Sequence, residues 1–397
     1  MAALTNPRAT PGDSYRRDAV TWAAFGALFA FGFLNAILGP ALPYLRAAED
    51  ISYLTGALHQ VAFAVGGGVA GLIAAHQRPS ISRAATITAG LAGAAAAAAA
   101  VGYGRTPAIT IPAALVMSLL GTSALIRVWA ALADIHGRRR AVAMSEGEVS
   151  VSLAGILTPL LVGALAATTL SWRFAFLIGG ATAVLTALTV WRAGIPPACG
   201  PPGDSPARGG GADRRWPQPT LIVVFAIVAL EFSLSFWLAS YLNDDVGLAR
   251  DAAVATVSGL YAANLIGRLL ASRLAARASP ERLLAAALGA ALIGLPILLA
   301  ATDVAVAAVG IAIAGTGIGA MFPLTSSVHV KGSGRGADSA LGQVLAVASI
   351  GQIAGPLSAG AIAQAAGLRT GLLILPALTI TAAAALYRHH VSVGAQK

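Results

Sequence analysis

The chain has 397 residues, of which 57% are hydrophobic and only 11% are charged, and its formal net charge is +10. Soluble domains carry about 25% charged residues, so this composition excludes a water-soluble domain of this size and indicates an integral membrane protein. The basic residues are scattered through short segments and not interleaved with aromatic residues, which argues against nucleic-acid binding. A single cysteine, Cys199, excludes a disulfide within the chain.

Apolar stretches long enough to cross a bilayer recur along the whole chain. A transmembrane helix needs about 20 mostly apolar residues, and these stretches lack the in-and-out alternation of barrel strands. The first stretch is too long for a signal peptide and has no cleavage site, so we expect a retained helix. The predicted helices α1 to α12 lie at 19–42, 52–75, 84–103, 108–133, 148–168, 173–192, 220–242, 252–274, 282–300, 303–326, 339–363 and 370–387.

Positive charge is unevenly divided between alternate connections of these helices. With the N-terminus inside, 19 of the 26 lysines and arginines face the cytoplasm and five face outward, while Arg127 and Arg268 lie within helices. The positive-inside rule then places both termini in the cytoplasm and requires an even number of spans. We therefore expect a multi-pass protein of the cytoplasmic membrane.

The longest break between apolar stretches divides the chain into halves. Residues 193–219 are too rich in proline and glycine to form a helix, and we expect a flexible cytoplasmic linker there. This linker separates a first bundle at 19–192 from a second bundle at 220–387. Cytoplasmic tails are expected at 1–18 and 388–397.

The two halves repeat each other at an offset of 194 to 197 residues. Both halves start on the same side, so the repeat is parallel and its axis runs along the membrane normal. Such an arrangement suits alternating access around a site near the bilayer midplane. The matching pairs are Gly71 and Gly267, Gly121 and Gly315, Pro159 and Pro356, and Arg173 and Arg369.

Twelve helices, a long central loop and a six-plus-six repeat resemble the major facilitator superfamily over essentially the whole chain. The resemblance implies an all-α integral membrane fold with 12 transmembrane helices in two six-helix bundles related by pseudo-twofold symmetry. It also implies a monomeric secondary active transporter that binds a small-molecule substrate and needs no cofactor.

Loop and helix motifs of that family are present in part. The connection between α2 and α3 keeps Gly71, Arg78 and Arg83 but lacks the acidic residue of the family motif, whereas Asp134 after α4 can pair with the arginines that follow it. The residues that the resemblance assigns to gating and conformational change are Asp134, Arg138, Arg139, Pro159, Gly163, Gly267, Arg268, Gly355 and Pro356.

Within the superfamily, the stretches 35–43, 231–241 and 315–327 resemble the fucose-permease-like sugar:proton symporters. That branch implies a sugar-like solute, although its acidic proton sites in α1 and α4 are replaced here by Asn35 and Arg127. A competing resemblance is to drug:proton antiporters, through the Gly-Pro sequence in α11, its partial match in α5 and the buried arginine of α4.

Charged and titratable residues inside the helices are the first candidates for function, because a charge at mid-membrane costs at least about 2.5 kcal/mol. Glu231 is expected to carry protons or bind substrate, with an interhelical hydrogen bond as the alternative. Arg127 is expected to bind substrate or influence a nearby acid, or else to pair with Glu146 or Glu148. His59 is a candidate proton relay, and Arg268 is expected to be structural.

Polar and aromatic residues on the helices that line the cavity in the family are the candidate substrate ligands. Trp237 and Tyr241, four residues apart on α7, predict an aromatic face against a sugar ring or an apolar drug. For each amide the alternative is an interhelical hydrogen bond. The substrate-binding candidates are Asn35, Gln60, Arg127, Trp237, Tyr241, Tyr261, Asn264 and Gln352.

Absent motifs narrow the function further. There is no GxxxxGK[ST] sequence, which argues against ATP-driven transport, and neither a metal-binding spacing nor a nucleophile constellation is visible. We expect no metal, no catalytic residue and no enzyme activity. A proton-coupled efflux antiporter for drugs or metabolites, and a membrane sensor that does not transport, remain as alternatives.

Overall fold

The computed structural model describes residues 16–76, 82–196, 218–275, 277–332 and 337–394. Over these ranges the regular structure is helical, and 12 helices are long and apolar enough to span a membrane. This confirms the predicted fold class. The helices are α1 Ala19–Glu49, α2 Tyr53–His76, α3 Arg83–Tyr103, α4 Pro107–His136, α5 Arg140–Ala166, α6 Phe174–Ala193, α7 Pro219–Asp244, α8 Arg250–Leu274, α9 Pro280–Leu299, α10 Val304–Gly332, α11 Ala337–Ala366 and α12 Ile374–Gly394.

Several helices extend beyond the apolar stretches that predicted them. The helix α5 begins at Arg140 and not at 148, and α10 continues to Gly332 and not to 326. The added turns carry polar and charged residues, which lower hydropathy without interrupting the backbone hydrogen bonds of the helix. Residues 1–15, 197–217 and 395–397 of the expected tails and linker lie outside the described ranges, so those domain bounds stay predictions.

The helix α1 is broken at Ile37 into two segments, Ala19–Ala36 and Leu38–Glu49. Pro40 has no N–H, so the carbonyl of Ala36 lacks its usual donor four residues later. A discontinuous helix of this kind exposes backbone polar groups at membrane depth, which is tolerated only where they are buried in protein or line a cavity.

The two halves pack alike. In the first half α1 packs on α5 and α6 while α3 packs on α4 and α6, and in the second half α7 packs on α11 and α12 while α9 packs on α10 and α12. The halves meet where α5 packs on α8, α2 packs on α11, and the second segment of α1 packs on α7. These contacts define a first bundle, α1 to α6, and a second bundle, α7 to α12.

Equivalent hydrogen bonds join equivalent helices in the two bundles. The Thr21 hydroxyl at the start of α1 lies 2.9 Å from Nε2 of His136 at the end of α4. The Thr220 hydroxyl at the start of α7 lies 2.7 Å from Nδ1 of His329 near the end of α10. The repeat is therefore visible in contacts as well as in sequence.

Arg173 and Arg369, one of the predicted repeat pairs, also occupy matching places. Arg173 donates to the carbonyl of Gly102 at the end of α3, and Arg369 donates to the carbonyl of Ala301 just after α9 at 3.1 Å. Arg369 also lies 3.8 Å from Asp245. Burial raises the pKa of the Asp245 carboxyl, and the charge of Arg369 opposes that rise.

The pair Gly71 and Gly267 does not behave as a structural repeat. A Cβ on Gly267 would collide with the backbone of Thr316 in α10, whereas a Cβ on Gly71 would meet nothing within 4 Å. The close approach of α2 to α4 occurs instead at Gly66, against the carbonyl of Leu115.

Candidate functional site

A small cavity lies between the two bundles, beside the break in α1. Its volume is about 70 Å³, and since one buried water needs about 10–15 Å³, it has room for only a few water molecules in this conformation. Four of the predicted site residues, Asn35, Gln60, Glu231 and Tyr261, meet in it. The lining residues come from α1, α2, α7 and α8: Asn35, Ala36, Gly39, Gln60, Glu231, Phe232, Ser235, Phe236 and Tyr261.

Glu231 is the carboxylate of this cavity. It lies at the middle of α7, which runs from Pro219 to Asp244, and 21% of its side chain is exposed. The Ser235 hydroxyl donates to the backbone carbonyl of Glu231 at 2.7 Å. A charge at this depth requires a functional or structural partner.

Arg268 supplies that partner and links Glu231 to the other bundle. Its Nη2 lies 4.0 Å from a carboxylate oxygen of Glu231, and its Nη1 lies 3.6 Å from a carboxylate oxygen of Glu148 in α5. Its Nε donates to the carbonyl of Gly319 at 3.2 Å. The three side chains form an inter-bundle charge cluster, because Glu148 belongs to the first bundle and the other two to the second.

The connection of Glu148 to this cluster was not predicted from the sequence. The predicted start of α5 at 148 placed this residue at a helix end, where a carboxylate needs no explanation. The helix begins eight residues earlier, at Arg140, so Glu148 lies well inside it. Helix propensity of the polar residues before 148 was the signal that could have revealed this.

Arg127 does not share the cavity with Glu231. It lines a separate groove of about 390 Å³ between α2, α3 and α4, within the first bundle. The two carboxylates considered as its partners lie against other arginines: Glu146 is 2.6 Å from Arg17, and Glu148 is 3.6 Å from Arg268. The expectation that Arg127 acts at the substrate site therefore lacks geometric support.

His59 is buried in a hydrogen-bonded chain inside the first bundle. Its Nε2 lies 2.9 Å from the Thr110 hydroxyl, and that hydroxyl donates to Glu49 at 3.2 Å. Its Nδ1 lies 3.3 Å from the carbonyl of Thr55. The chain joins α1, α2 and α4, so the structure places His59 apart from the cavity of Glu231.

Trp237 and Tyr241 do not form the predicted aromatic face toward a ligand in this conformation, because both side chains are fully buried. The Trp237 indole N–H donates to the carbonyl of Pro356 at 3.0 Å. The Tyr241 hydroxyl lies 3.0 and 3.1 Å from the carbonyls of Leu298 and Leu299. Buried aromatic side chains with polar tips require such partners, and here these contacts hold α7 against α11 and α9.

The two amides of the second bundle that were predicted as substrate ligands also differ from the expectation. Asn264 is 5% exposed, and in the orientation that satisfies its amide it donates to the carbonyls of Leu260 and Gly315 at 3.3 and 2.9 Å. It thus joins α8 to α10 and does not line the cavity. Gln352 is half-buried on α11 and is not part of the cavity lining.

The bundles are tied together at the ends of α1 and α7 by Arg46, Tyr53 and Asp244. Arg46 lies 3.1 Å from the Asp244 carboxylate, the Tyr53 hydroxyl donates to the same carboxylate at 2.8 Å, and the Arg46 guanidinium stacks 3.6 Å from the Tyr53 ring centre. We call this group the far-side contact, since it lies at the membrane face opposite the chain termini. It joins the first bundle to the second at that face.

Asp134, expected to pair with the arginines after it, pairs with Arg83 at the start of α3, at 2.7 Å. Gly137, with a φ of +44°, ends α4 and opens a short 3-10 turn, Gly137–Arg139. The side chain of Arg138 lies outside the described residues, and Arg139 is exposed. The connection between α2 and α3 has no acidic residue, and Asp134 at the end of α4 is instead the acidic partner of Arg83.

The Gly-Pro sequence of α11 and its partial match in α5 lie at helix contacts. A Cβ on Gly163 would lie 2.7 Å from the carbonyl of Asp251 in α8, across the bundle boundary. Gly355 packs against the backbone of α7 within the second bundle. Pro159 and Pro356 lie inside helices that continue through them. Their roles in conformational change stay predictions.

No curated protein sequence matches the chain. A bacterial homologue of the human lysosomal transporter Spinster, in an inward-facing and unoccupied conformation, is 16% identical and has a TM-score of 0.74, over 94% of this chain and 98% of that chain.

Two further solved structures share the fold. The nucleoside transporter NupG is 13% identical with a TM-score of 0.72, over 94% of this chain and 98% of that chain. A D-xylose-proton symporter is 14% identical with a TM-score of 0.71, over 94% of this chain and 97% of that chain. The family model described as Major Facilitator Superfamily matches residues 24–342. The chain therefore belongs to the Major Facilitator Superfamily, and it is a multi-pass membrane protein that works as a secondary active transporter by alternating access.

Proposed function

We propose that this transporter moves a small, polar, sugar-like solute in company with protons. The observation that carries the proposal is the meeting of Glu231 with Asn35, Gln60 and Tyr261 in one cavity at the bundle boundary. Amide and hydroxyl groups are the hydrogen-bonding partners that a hydroxylated solute requires, and the carboxylate supplies a group that can take and release a proton.

Two of the three stretches that resemble the fucose-permease-like branch support the proposal. The α1 stretch contributes Asn35 and Gly39 to the cavity, and the α7 stretch contributes Glu231 and Ser235. The α10 stretch at 315–327 packs against α8 and α9 instead. We place the chain in that branch on the strength of the two stretches that line the cavity.

Membrane, orientation and oligomeric state belong to the same proposal. The charge bias of the connections puts both termini in the cytoplasm by the positive-inside rule, and we place the chain in the cytoplasmic membrane as a monomer. In that orientation the far-side contact of Arg46, Tyr53 and Asp244 joins the two bundles at the outer face.

The inter-bundle charge cluster provides a route for coupling. An ionised Glu231 attracts Arg268, whereas a protonated Glu231 leaves that guanidinium to Glu148 of the opposite bundle. Proton binding at Glu231 thus changes the attraction between the bundles, as alternating access requires. A solute that hydrogen-bonds to Glu231 also changes how strongly Arg268 is attracted to Glu231 relative to Glu148.

Flux measurements in proteoliposomes test this function. With an inwardly directed proton gradient, we expect accumulation of one or more hexoses or pentoses, abolished by a protonophore. Gradient-driven expulsion of an amphipathic drug would identify the alternative, a proton-coupled efflux antiporter. Saturable binding without flux of any solute would identify a membrane sensor and overturn the proposal.

A further inference from the structure

A groove of about 1050 Å³ lies within the second bundle, between α9, α10 and α12, away from the bundle boundary. Its wall is apolar, with Ala285, Leu288, Leu292, Val328 and Leu386 among the lining residues. Its mouth is basic and is formed by Arg282, Lys331, His389 and His390. We call it the basic groove.

The depth of the basic groove matches one leaflet of a bilayer. Arg282 stands near the start of α9, and Leu292 lies ten residues further along the same helix. Ten helical residues rise about 15 Å, half of a hydrocarbon core of about 30 Å. The groove therefore runs from the membrane interface on the side of the chain termini to about the midplane.

The mouth of the groove carries an excess of positive charge. The one acidic residue in the lining, Glu281, lies 4.0 Å from Lys331, whose side chain is 75% exposed. The lining therefore holds two permanently positive side chains, Arg282 and Lys331, against one acidic side chain. A basic mouth above an apolar wall complements a molecule with an anionic head and a hydrocarbon tail.

The side chains of the surrounding helices do not fill the basic groove. A Cβ on Gly289, which lines the groove, would meet nothing within 4 Å. Tyr387, also in the lining, is 70% exposed, as expected of a tyrosine at the headgroup level. We propose that the basic groove binds one anionic phospholipid from the leaflet on the side of the chain termini, with its phosphate at Arg282 and an acyl chain along α9.

The test is lipid binding to the full-length chain in detergent, by native mass spectrometry and by thermal shift. Phosphatidylglycerol is compared with phosphatidylcholine. We expect tighter binding of phosphatidylglycerol to the unmodified protein, and about a fivefold loss of that preference in Arg282→Gln, since one basic residue near anionic lipid contributes about 1 kcal/mol. Arg388→Gln, an exposed arginine of α12 outside the lining, should keep the preference.

A second variant tests the apolar wall without changing charge. Gly289→Leu fills the groove where space is open, and we expect it to lose bound phosphatidylglycerol while the protein stays monodisperse. It also keeps the test valid if Arg282→Gln does not fold.

Equal binding of the two lipids would overturn the proposal, as would equal losses in Arg282→Gln and Arg388→Gln. Displacement of the lipid by soluble glycerophosphoglycerol, or dimers that Gly289→Leu abolishes, would assign the groove to another occupant.

Discussion

Arg268 and Glu148 approach to 3.6 Å across the boundary between the two bundles, and Glu231 lies 4.0 Å from the same guanidinium. One cation is thus shared by a carboxylate of each bundle. The side chains of Arg268 and Glu148 are 37% and 54% exposed, so solvent screens part of this attraction. The relative position of the bundles and the charge in the cavity are therefore linked through Arg268.

Replacing this cation should uncouple transport from the proton gradient. We expect Arg268→Gln to lower gradient-driven uptake about tenfold, in the range of typical coupling free energies of 1–3 kcal/mol. Arg268→Lys keeps the charge but contacts two carboxylates less well than arginine does. Its gradient-driven uptake should lie between that of Arg268→Gln and that of the unmodified protein. Uptake into proteoliposomes, with and without the gradient, measures the effect. Arg273→Gln, an exposed arginine on the same helix, is the control, and an equal loss there would point to a general effect on α8.

Glu231 should carry the dependence of transport on pH. We expect Glu231→Gln to insert and fold normally and to transport at a rate that no longer varies with pH, because the amide cannot take up a proton. The measurement is initial uptake across a range of pH values, together with size-exclusion profiles. Glu148→Gln is the matched control and should slow transport while keeping its pH dependence. A pH profile that survives in Glu231→Gln would remove this residue as the proton site.

Arg127 should matter for stability and not for solute affinity. It lines a groove inside the first bundle, so removing its charge leaves the cavity between the bundles unchanged. We expect Arg127→Ala to lower the melting temperature while the KM for the transported solute stays within about twofold, since distant sites behave independently. A large rise in KM with unchanged stability would restore the substrate-binding role that sequence reasoning assigned to it.

The number of helices, the repeat and the position of Glu231 deep in a membrane-spanning helix could be predicted from sequence for one physical reason. Lipid allows only helices or closed barrels to span it, and it penalises charge strongly enough that a mid-helix carboxylate stands out. The equivalence of Arg173 and Arg369 followed from the repeat in the same way, and the structure places both at the end of a neighbouring helix.

Which face of each helix meets the cavity could not be predicted in this way. Lipid-facing and protein-facing surfaces of a membrane helix are both apolar, so Trp237 and Tyr241 looked as suitable for a ligand as for a helix contact. Arg127 and Glu148 show the same limit. Arg127 lines a groove within the first bundle and not the cavity. Glu148 lies well inside α5, whose start was predicted eight residues too late. Contacts between helices decide these positions, and a single sequence does not report them.

The far-side contact should set the balance between conformational states. Asp244→Asn removes the ion pair to Arg46 while the amide can still accept the Tyr53 hydrogen bond. We expect the population open at that face to rise up to about fivefold, the effect of a partly exposed ion pair worth up to 1 kcal/mol. Spin labels at Ala48→Cys and Ala249→Cys, both exposed, report the distance between the bundles there.

The control for this experiment is the neighbouring acid. Asp245 pairs with Arg369 inside the second bundle, at 3.8 Å, so Asp245→Asn should leave the distance distribution unchanged. The native Cys199 is first replaced by serine so that only the introduced sites are labelled. Identical distributions for unmodified protein and Asp244→Asn would show that other contacts hold the face closed.

Gly39 should be intolerant of any side chain in the state described here. A Cβ at this position would lie 2.6 Å from the carbonyl of Ser235 and 3.0 Å from Cα of Phe236. Because both neighbours are backbone atoms of α7, they cannot yield by rotating a side chain, and α1 must move away. We expect Gly39→Ala to destabilise this state by about 1–3 kcal/mol, the usual cost of overpacking, and to favour the state open at the far side.

Gly71→Ala is the matched control, because a Cβ there would meet nothing within 4 Å. Alanine favours a helix over glycine by up to about 1 kcal/mol, so this variant should melt at the same temperature as the unmodified protein or slightly higher. The same pair of spin labels follows both variants. If Gly39→Ala left melting and the label distance unchanged, the close approach of α1 to α7 would not be what holds the cavity shut, and the far-side contact alone would have to do so.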